Sequence, residues 1–315
     1  MARIYALFVV NMEGIALFSR NLAPEKVHPD LVTSFLTAIR ELVKEISPSS
    51  EPALRTIEAR GFTIITETGE KVLGALLLDR EDPLARECLR VMVKEFERRF
   101  GHMLDTWDGD ITLFEPFGEI CDKVLSVIAL ASYHVPKLGG WAEGDIRVPR
   151  DLWAVMRHVD GRKTVAEIAR EAGLSLREAI DRVKKLAELG LVEVDVHEPV
   201  RLVIKAYEEV LTGYLRLLRE LVGYDIATKL VEEALEAWGH GWLAYDDVLS
   251  ARDADRLAWL YQPKEVAEMC EGLLSLLGQK ARPLLGDLVG ALRALASKKL
   301  AKYRGDLERF EAIGG

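Results

Sequence analysis

Three stretches of this chain carry residue types at spacings that invite chemistry. The first is WGHGW, Trp238 to Trp242, where His240 stands between two glycines and two indoles. An imidazole so placed can hold a ligand or accept a proton. No second histidine or nucleophile lies beside it, although Tyr245, Asp246 and Asp247 follow closely. A helix break with both tryptophans packed inward is the favoured reading, and Trp238, His240 and Trp242 remain ligand candidates. The second stretch is DTWDGDITLFE, Asp105 to Glu115. With Gly109 at the sixth position of a calcium loop, Leu104 and Thr106 fall at the first and third, where carboxylates or amides are required. A polar turn is expected instead.

The third stretch is TVAEIAREAGLSLREAIDRVKKLAELGLVEVDV, Thr164 to Val196. Thr164 with Glu167 and Ser175 with Glu178 are spaced as capping boxes, and Gly173 and Gly190 close the two helices they open. Were this a DNA-reading pair, the helix from Leu176 to Leu189 would enter the major groove. Arg177, Arg182 and Lys185 would then be its nucleic-acid contacts. That face also carries Glu178, Asp181 and Glu188, with opposite charges four residues apart, a pattern that predicts local neutralisation. From 146 to 196 there are ten basic and nine acidic residues, and the strand end VEVDVHE, Val192 to Glu198, is acidic. Phosphate repels such a surface, so DNA binding is disfavoured.

Elsewhere the chemical signals fail. His28, His102, His134, His158 and His197 are scattered, with no H-E-x-x-H spacing, and no P-loop, dinucleotide-binding or nucleophile-elbow motif occurs. Glu232 and Glu233 read as a solvated pair. Cys88, Cys121 and Cys270 form no C-x-x-C and read as buried small hydrophobes, a disulfide being the alternative. The expectation is a protein that is not an enzyme, with no catalytic residue, metal or cofactor.

The elements that would position these stretches fall into three blocks. In residues 1–125, RIYALFVV and IALFSR flank the turn NMEG as a hairpin. HPDLVTSFLTAIRELVKEI has helical spacing from Leu31 to Ile46. LRTIEARG, FTIITETG and KVLGALLLDR give three more strands. EDPLARECLRVMVKEFERRFG is a helix with Asp82 as N-cap, Pro83 as first residue and Gly101 as stop. A further helix ends the block, and 126–145, rich in Gly and Pro, reads as a linker. The block 146–196 holds three helices and a strand, and 197–315 is expected to be almost wholly helical, punctuated by Gly223, Gly239 and Gly278, with Pro263 and Pro283 opening helices. The predicted class is α+β and multidomain: a five-stranded antiparallel sheet with helices, a helix-turn-helix module, then an all-α bundle.

The opening IYALFVVNMEGIALFSR hairpin leading straight into a long helix, within the order strand, strand, helix, three strands, helix, helix, resembles a longin domain, a profilin-like fold close to the roadblock domains. That resemblance implies a platform for a small Ras-like GTPase, a trafficking partner or a second copy, with the hairpin around Asn11 to Gly14 and the helix from Leu31 to Ile46 as contact regions. Residues 146–196 resemble a winged helix, a fold that serves protein docking as well as DNA reading. The bundle at 197–315 resembles no recognised family. The expected function is a non-enzymatic adaptor or regulator, the runner-up a ligand-responsive transcription regulator.

Composition sets the outer bounds. Acidic residues exceed basic ones, 51 to 42, which argues against a general nucleic-acid binder. No apolar run is long enough to span a membrane, and the apolar start is interrupted at Asn11 and Glu13 without a small-residue cleavage site. No membrane insertion and a cytoplasmic location are expected. Asn occurs only at Asn11 and Asn21 and Gln only at Gln262 and Gln279. Depleted amides beside abundant Glu, Lys and Arg resemble hyperthermophile usage and predict a thermophilic archaeal source. A thermal melt followed by circular dichroism should have its midpoint above about 80 °C; one in the mesophile range of about 45–65 °C would remove that reading.

Overall fold

The computed structural model describes residues 2–24, 27–28, 32, 34–35, 37–38, 55–140, 148–246 and 248–313. The chain forms two compact units, Met1–Ile128 and Ala129–Gly315.

The first unit is a five-stranded antiparallel sheet. Its strands are β1 (Ile4–Asn11), β2 (Ala16–Asn21), β3 (Thr56–Ala59), β4 (Phe62–Thr68) and β5 (Val72–Leu78), in the order β2-β1-β5-β4-β3. β1 is an inner strand between β2 and β5, and its continuous apolar run is buried on both faces, as a strand with two covers must be. Ala6, Phe8 and Val10 point with Leu73, Ala75 and Ile64 to one face, where Val27 and Val32 pack on them. The expected helix from Leu31 to Ile46 lies mostly outside the described residues; Val32, Ser34, Phe35, Thr37 and Ala38 are helical.

Helix α1 (Pro83–Leu104) covers the opposite face. Asp82 caps it, accepting from the N–H groups of Leu84 and Ala85 and also from Ala2, which ties the first strand to the helix start. Its Glu97 reaches the β4–β5 turn and accepts from the N–H groups of Lys71 and Val72. Gly101 was expected to stop α1, but the helix runs on to Leu104. Lys71 explains the extension: its Nζ donates to the Gly101 carbonyl at 2.9 Å and the Asp105 carboxylate at 2.6 Å, capping the negative helix end. Phe100 and Phe96 are buried there in an aromatic cluster with Phe114 and Phe117. Asp105 to Asp110 is a turn, Ile111–Phe114 a 3-10 turn capped by Asp110, and α2 (Phe117–Val127) follows.

In the second unit, β6 (Pro136–Leu138) pairs antiparallel with β7 (Val192–Val194) around α3 (Arg150–Met156), α4 (Val165–Ala172) and α5 (Leu176–Glu188). Part of the stretch read as a linker, 126–145, is thus built in: β6 is paired and His134 is fully buried. Both capping boxes form, and Gly173 at φ +67° closes α4. Then come α6 (Glu198–Val222), α7 (Tyr224–Trp238), α8 (Ala254–Leu260), α9 (Pro263–Leu285), α10 (Leu288–Ser297), a 3-10 turn (Lys298–Lys302) and α11 (Arg304–Arg309). One long face of α6 is the axis of a bundle-like core that includes Val203, Tyr207, Leu211, Tyr214 and Leu218.

Three expectations for this region fail. The bundle contains a hairpin, β8 (Leu243–Asp246) with β9 (Val248–Ala251), held to α6 by Glu208, which accepts from the Ala251 N–H at 2.7 Å. Gly278 does not end a helix; it lies inside α9, where an added Cβ would stand 3.2 Å from Val289 Cγ1, so the glycine serves close approach to α10. Pro283 lies in the last turn of the same helix, which breaks at Gly286 (φ +55°).

Close packing of α1 on the sheet generates a test. A Cβ at Gly74 would stand 2.4 Å from Val93 Cγ2 and 2.9 Å from Leu89 Cδ1. Gly74→Val should therefore destabilise the first unit by about 1–3 kcal/mol through overpacking. Urea melts check it; an unchanged midpoint would mean that α1 rides loosely on β5.

Candidate functional site

The DNA candidates sit on α5. Its inner stripe, Ala179, Val183 and Leu186, is buried against Val155, Ile168 and Val192. Arg177 and Lys185 are exposed. Arg182 is half-buried, and its Nη1 donates to the Asp151 carbonyl in α3 at 3.2 Å, so it braces two helices. The structure does not bring the three cations together on one free face. The expected ladder of charge pairs is also incomplete: among the described residues no ion pair within 4 Å joins Arg177 to Asp181 or Asp181 to Lys185. Glu178 is turned back into its capping box, where the Ser175 hydroxyl and N–H hold its carboxyl below the usual range.

The strand after α5 also differs from a DNA-contacting wing. β7 pairs with β6, which precedes the three helices, and not with a strand that follows it. Asp195 then accepts from the N–H groups of His197 and Glu198 and turns the chain directly into α6. This module also exposes apolar side chains: Trp153 on α3 is 54 % exposed and Leu176 on α5 is 42 % exposed.

The ligand candidates stand where α7 ends. Gly239 adopts φ +72°, which closes the helix after Trp238. Trp238 Nε1 donates to the Met269 carbonyl at 2.9 Å, and the Trp238 and Trp242 rings meet edge to face at 5.1 Å. Both indoles are buried and Trp242 Nε1 has no acceptor among the described residues, while His240 is exposed with its ring 4.8 Å from that of Trp238. Trp238 and His240 line an open cleft of about 630 Å³ with Tyr261, Glu265, Glu268 and Met269; Trp242 does not reach it. Glu265 is partly spent, because it accepts from the Gln262 N–H. Aromatic faces beside carboxylates suit a cationic ligand.

Sequence reasoning passed over a pair of histidines in the second unit. His134 Nδ1 accepts from the Ala131 N–H at 2.8 Å and its Nε2–H faces the Val196 carbonyl at 3.2 Å, which makes the ring neutral. Burial pushes its pKa down to about 4, against the raising effect of the Val196 carbonyl. His197 Nδ1 lies 3.0 Å from the Ala258 carbonyl, and the ring packs on Trp259 at 4.2 Å. Burial lowers its pKa too. Around them Lys137 pairs with Glu198, Arg309 with Glu167, and the Ser132 hydroxyl donates to Glu311. No spacing rule signals such a pair, because 63 positions separate the two residues and the partners are carbonyls.

Cys88, Cys121 and Cys270 are free and buried, and desolvation raises all three thiols, Cys88 to about 12. Buried and protonated, they are inert as nucleophiles. Among the described residues no three His, Cys, Asp or Glu side chains converge as a metal site, and no helix is long and apolar enough to cross a membrane. No protein-family model matches the chain, and comparison with curated proteins finds no match.

The His134 geometry predicts a pH dependence. Above the ordinary histidine value of 6.5, folded and unfolded chains are both neutral at this residue. Between 6.5 and about 4 the unfolded chain takes a proton that the folded chain refuses. Stability should drain away as pH falls through that window, by up to about 3 kcal/mol from this group. His134→Gln should flatten the fall between urea melts at the two ends of the window. An unchanged difference in the variant would contradict the assignment.

Proposed function

We propose that this chain is a non-enzymatic, cytoplasmic docking protein, with a longin-like platform in its first unit and a winged-helix module serving as a protein-binding element in its second. A small Ras-like GTPase is the partner class that the longin-like resemblance implies. The observation that carries the docking reading is the β2 edge of the sheet. Ile15 at the hairpin turn is 46 % exposed, and Ile111 and Leu113 on the 3-10 turn beside β2 are 53 % and 40 % exposed. An edge strand bordered by exposed apolar side chains is a ready surface for another chain. Supporting it in the second unit are the brace made by Arg182, the direct turn from β7 into α6 and the exposed Trp153, which suit a protein partner better than a phosphate backbone.

The second reading, a DNA-binding regulator, is favoured by one observation: Arg177 and Lys185 are exposed and, among the described residues, form no ion pair. One pair of measurements separates the two readings. The full chain is titrated against purified small GTPases from the source organism, loaded with GDP or a GTP analogue, and against a labelled mixed-sequence duplex at about 50 mM and about 200 mM salt. Docking predicts GTPase binding that falls at least about tenfold in an Ile111→Asp, Leu113→Asp double variant, the loss expected when an apolar anchor is removed. No GTPase binding, with duplex binding that collapses in salt and in Arg177→Ala, Lys185→Ala, would replace docking by the regulator.

A further inference from the structure

Helix α10 is apolar, yet most of it faces water. Leu292 and Ala296 hold it to the bundle. Leu288 and Leu295 are 56 % and 50 % exposed, and Ala291 between them is exposed as well. Spacings of three and four residues put Leu288, Ala291 and Leu295 along one side of the helix, the pattern of a seam between two helices. Leu284, at the end of α9 and 56 % exposed, enlarges the apolar surface.

The ends of this face carry opposite charges. Asp287 precedes the helix and Lys298 follows it; both are exposed, and among the described residues neither forms an ion pair. Arg293, on another side of α10, is by contrast paired with Glu271 at 2.7 Å. On a helical wheel Asp287 and Lys298 fall beside the Leu288–Ala291–Leu295 stripe. Eleven residues separate them, about 16 Å along the axis.

We propose that this face binds the same face of a second copy of the chain, with the two α10 helices antiparallel about a two-fold axis near Ala291 and Leu292. In that pairing Leu288 of each copy meets Leu295 of the other, and at both ends Lys298 stands about two residues beyond the position opposite Asp287, within reach of its long side chain. An isologous contact needs a surface complementary to itself, and an apolar stripe with opposite charges towards its two ends has that property only in the antiparallel sense. A parallel pairing would set like charges against each other at both ends. The proposal does not depend on the docking reading of the first unit. Helices of three turns bury less than the roughly 800 Å² per partner of a standard interface, so a dissociation constant in the range of about 1–100 µM is expected.

Sedimentation velocity of the full chain over about 1–300 µM brackets that range and reads the monomer–dimer equilibrium. A dimer should appear with rising concentration, and Leu288→Asp should remove it. Asp287→Lys and Lys298→Asp should each weaken it several-fold, and the combined variant should restore it. A short bis-thiol cross-linker should join Ala291→Cys chains and leave Arg216→Cys chains, altered on an exposed part of α6, as monomers; the native cysteines are buried and do not compete. A monomer throughout the range overturns the proposal, as does a dimer that survives Leu288→Asp or a charge exchange that fails to restore association. Should the monomer instead bind anionic phosphatidylserine vesicles through the same leucines, the face is a membrane-surface element and the dimer is refuted.

Discussion

Strand β1 reaches water from neither face. Its apolar run from Ala6 to Val10 lies between β2 and β5, so its backbone groups are spent on the ladder and its side chains demand a cover on each side. Much of the first unit follows from this. Gly74 lets α1 come close enough on one face, and Val27 and Val32 close the other. Lys71 and Glu97 then fasten α1 to the β4–β5 turn. With both faces taken, only the sheet's edges stay open; Ile15 and the 3-10 turn beside β2 keep apolar side chains in water, as Phe62 does beside β3.

Helix α6 imposes a comparable demand on the second unit. Its inward residues recur at three- and four-residue intervals over 25 residues, a stripe too long for one partner helix. It takes α7, α9, α10 and the β8–β9 hairpin to cover it. The hairpin is the element that period-counting loses. A four-residue strand has too few alternations to stand out against the helical pattern around it. Its clearest signal is the pair of positive-φ glycines, Gly239 and Gly241, that end α7 just before β8.

What was legible in the sequence was local chemistry with a fixed offset. Asp82 with Pro83, Thr164 with Glu167 and Ser175 with Glu178 announce helix starts because a side chain must meet an N–H two or three residues on. The same signals that predict a helix end are weaker, because a glycine there has two uses. Gly101 and Gly278 lie within helices, one where Lys71 extends the helix end, the other where α10 packs close. Contacts between distant residues carry no offset at all. The pairing of β6 with β7 and the burial of His134 and His197 depend on residues some sixty positions away, so 126–145 read as a linker from its Gly and Pro content alone. The candidate site was legible as a list of residues and not as an arrangement. Trp238 and His240 share a cleft while Trp242 turns inward, and Arg182 leaves the face that Arg177 and Lys185 share with solvent.

The fate of the polar side chains bears directly on function. Asp82, Glu97, Asp110, Glu167, Glu178 and Asp195 each accept from backbone N–H groups. A carboxylate engaged in this way is held to one rotamer, which suits a cap or a turn. The three thiols are protonated and enclosed. Among the described residues the surface also carries exposed leucines and isoleucines, an exposed tryptophan, and charges on helix faces such as Arg177 and Lys185 that form no ion pair. Covering such apolar groups with another macromolecular surface is favourable, which is the physical argument behind the proposed docking role.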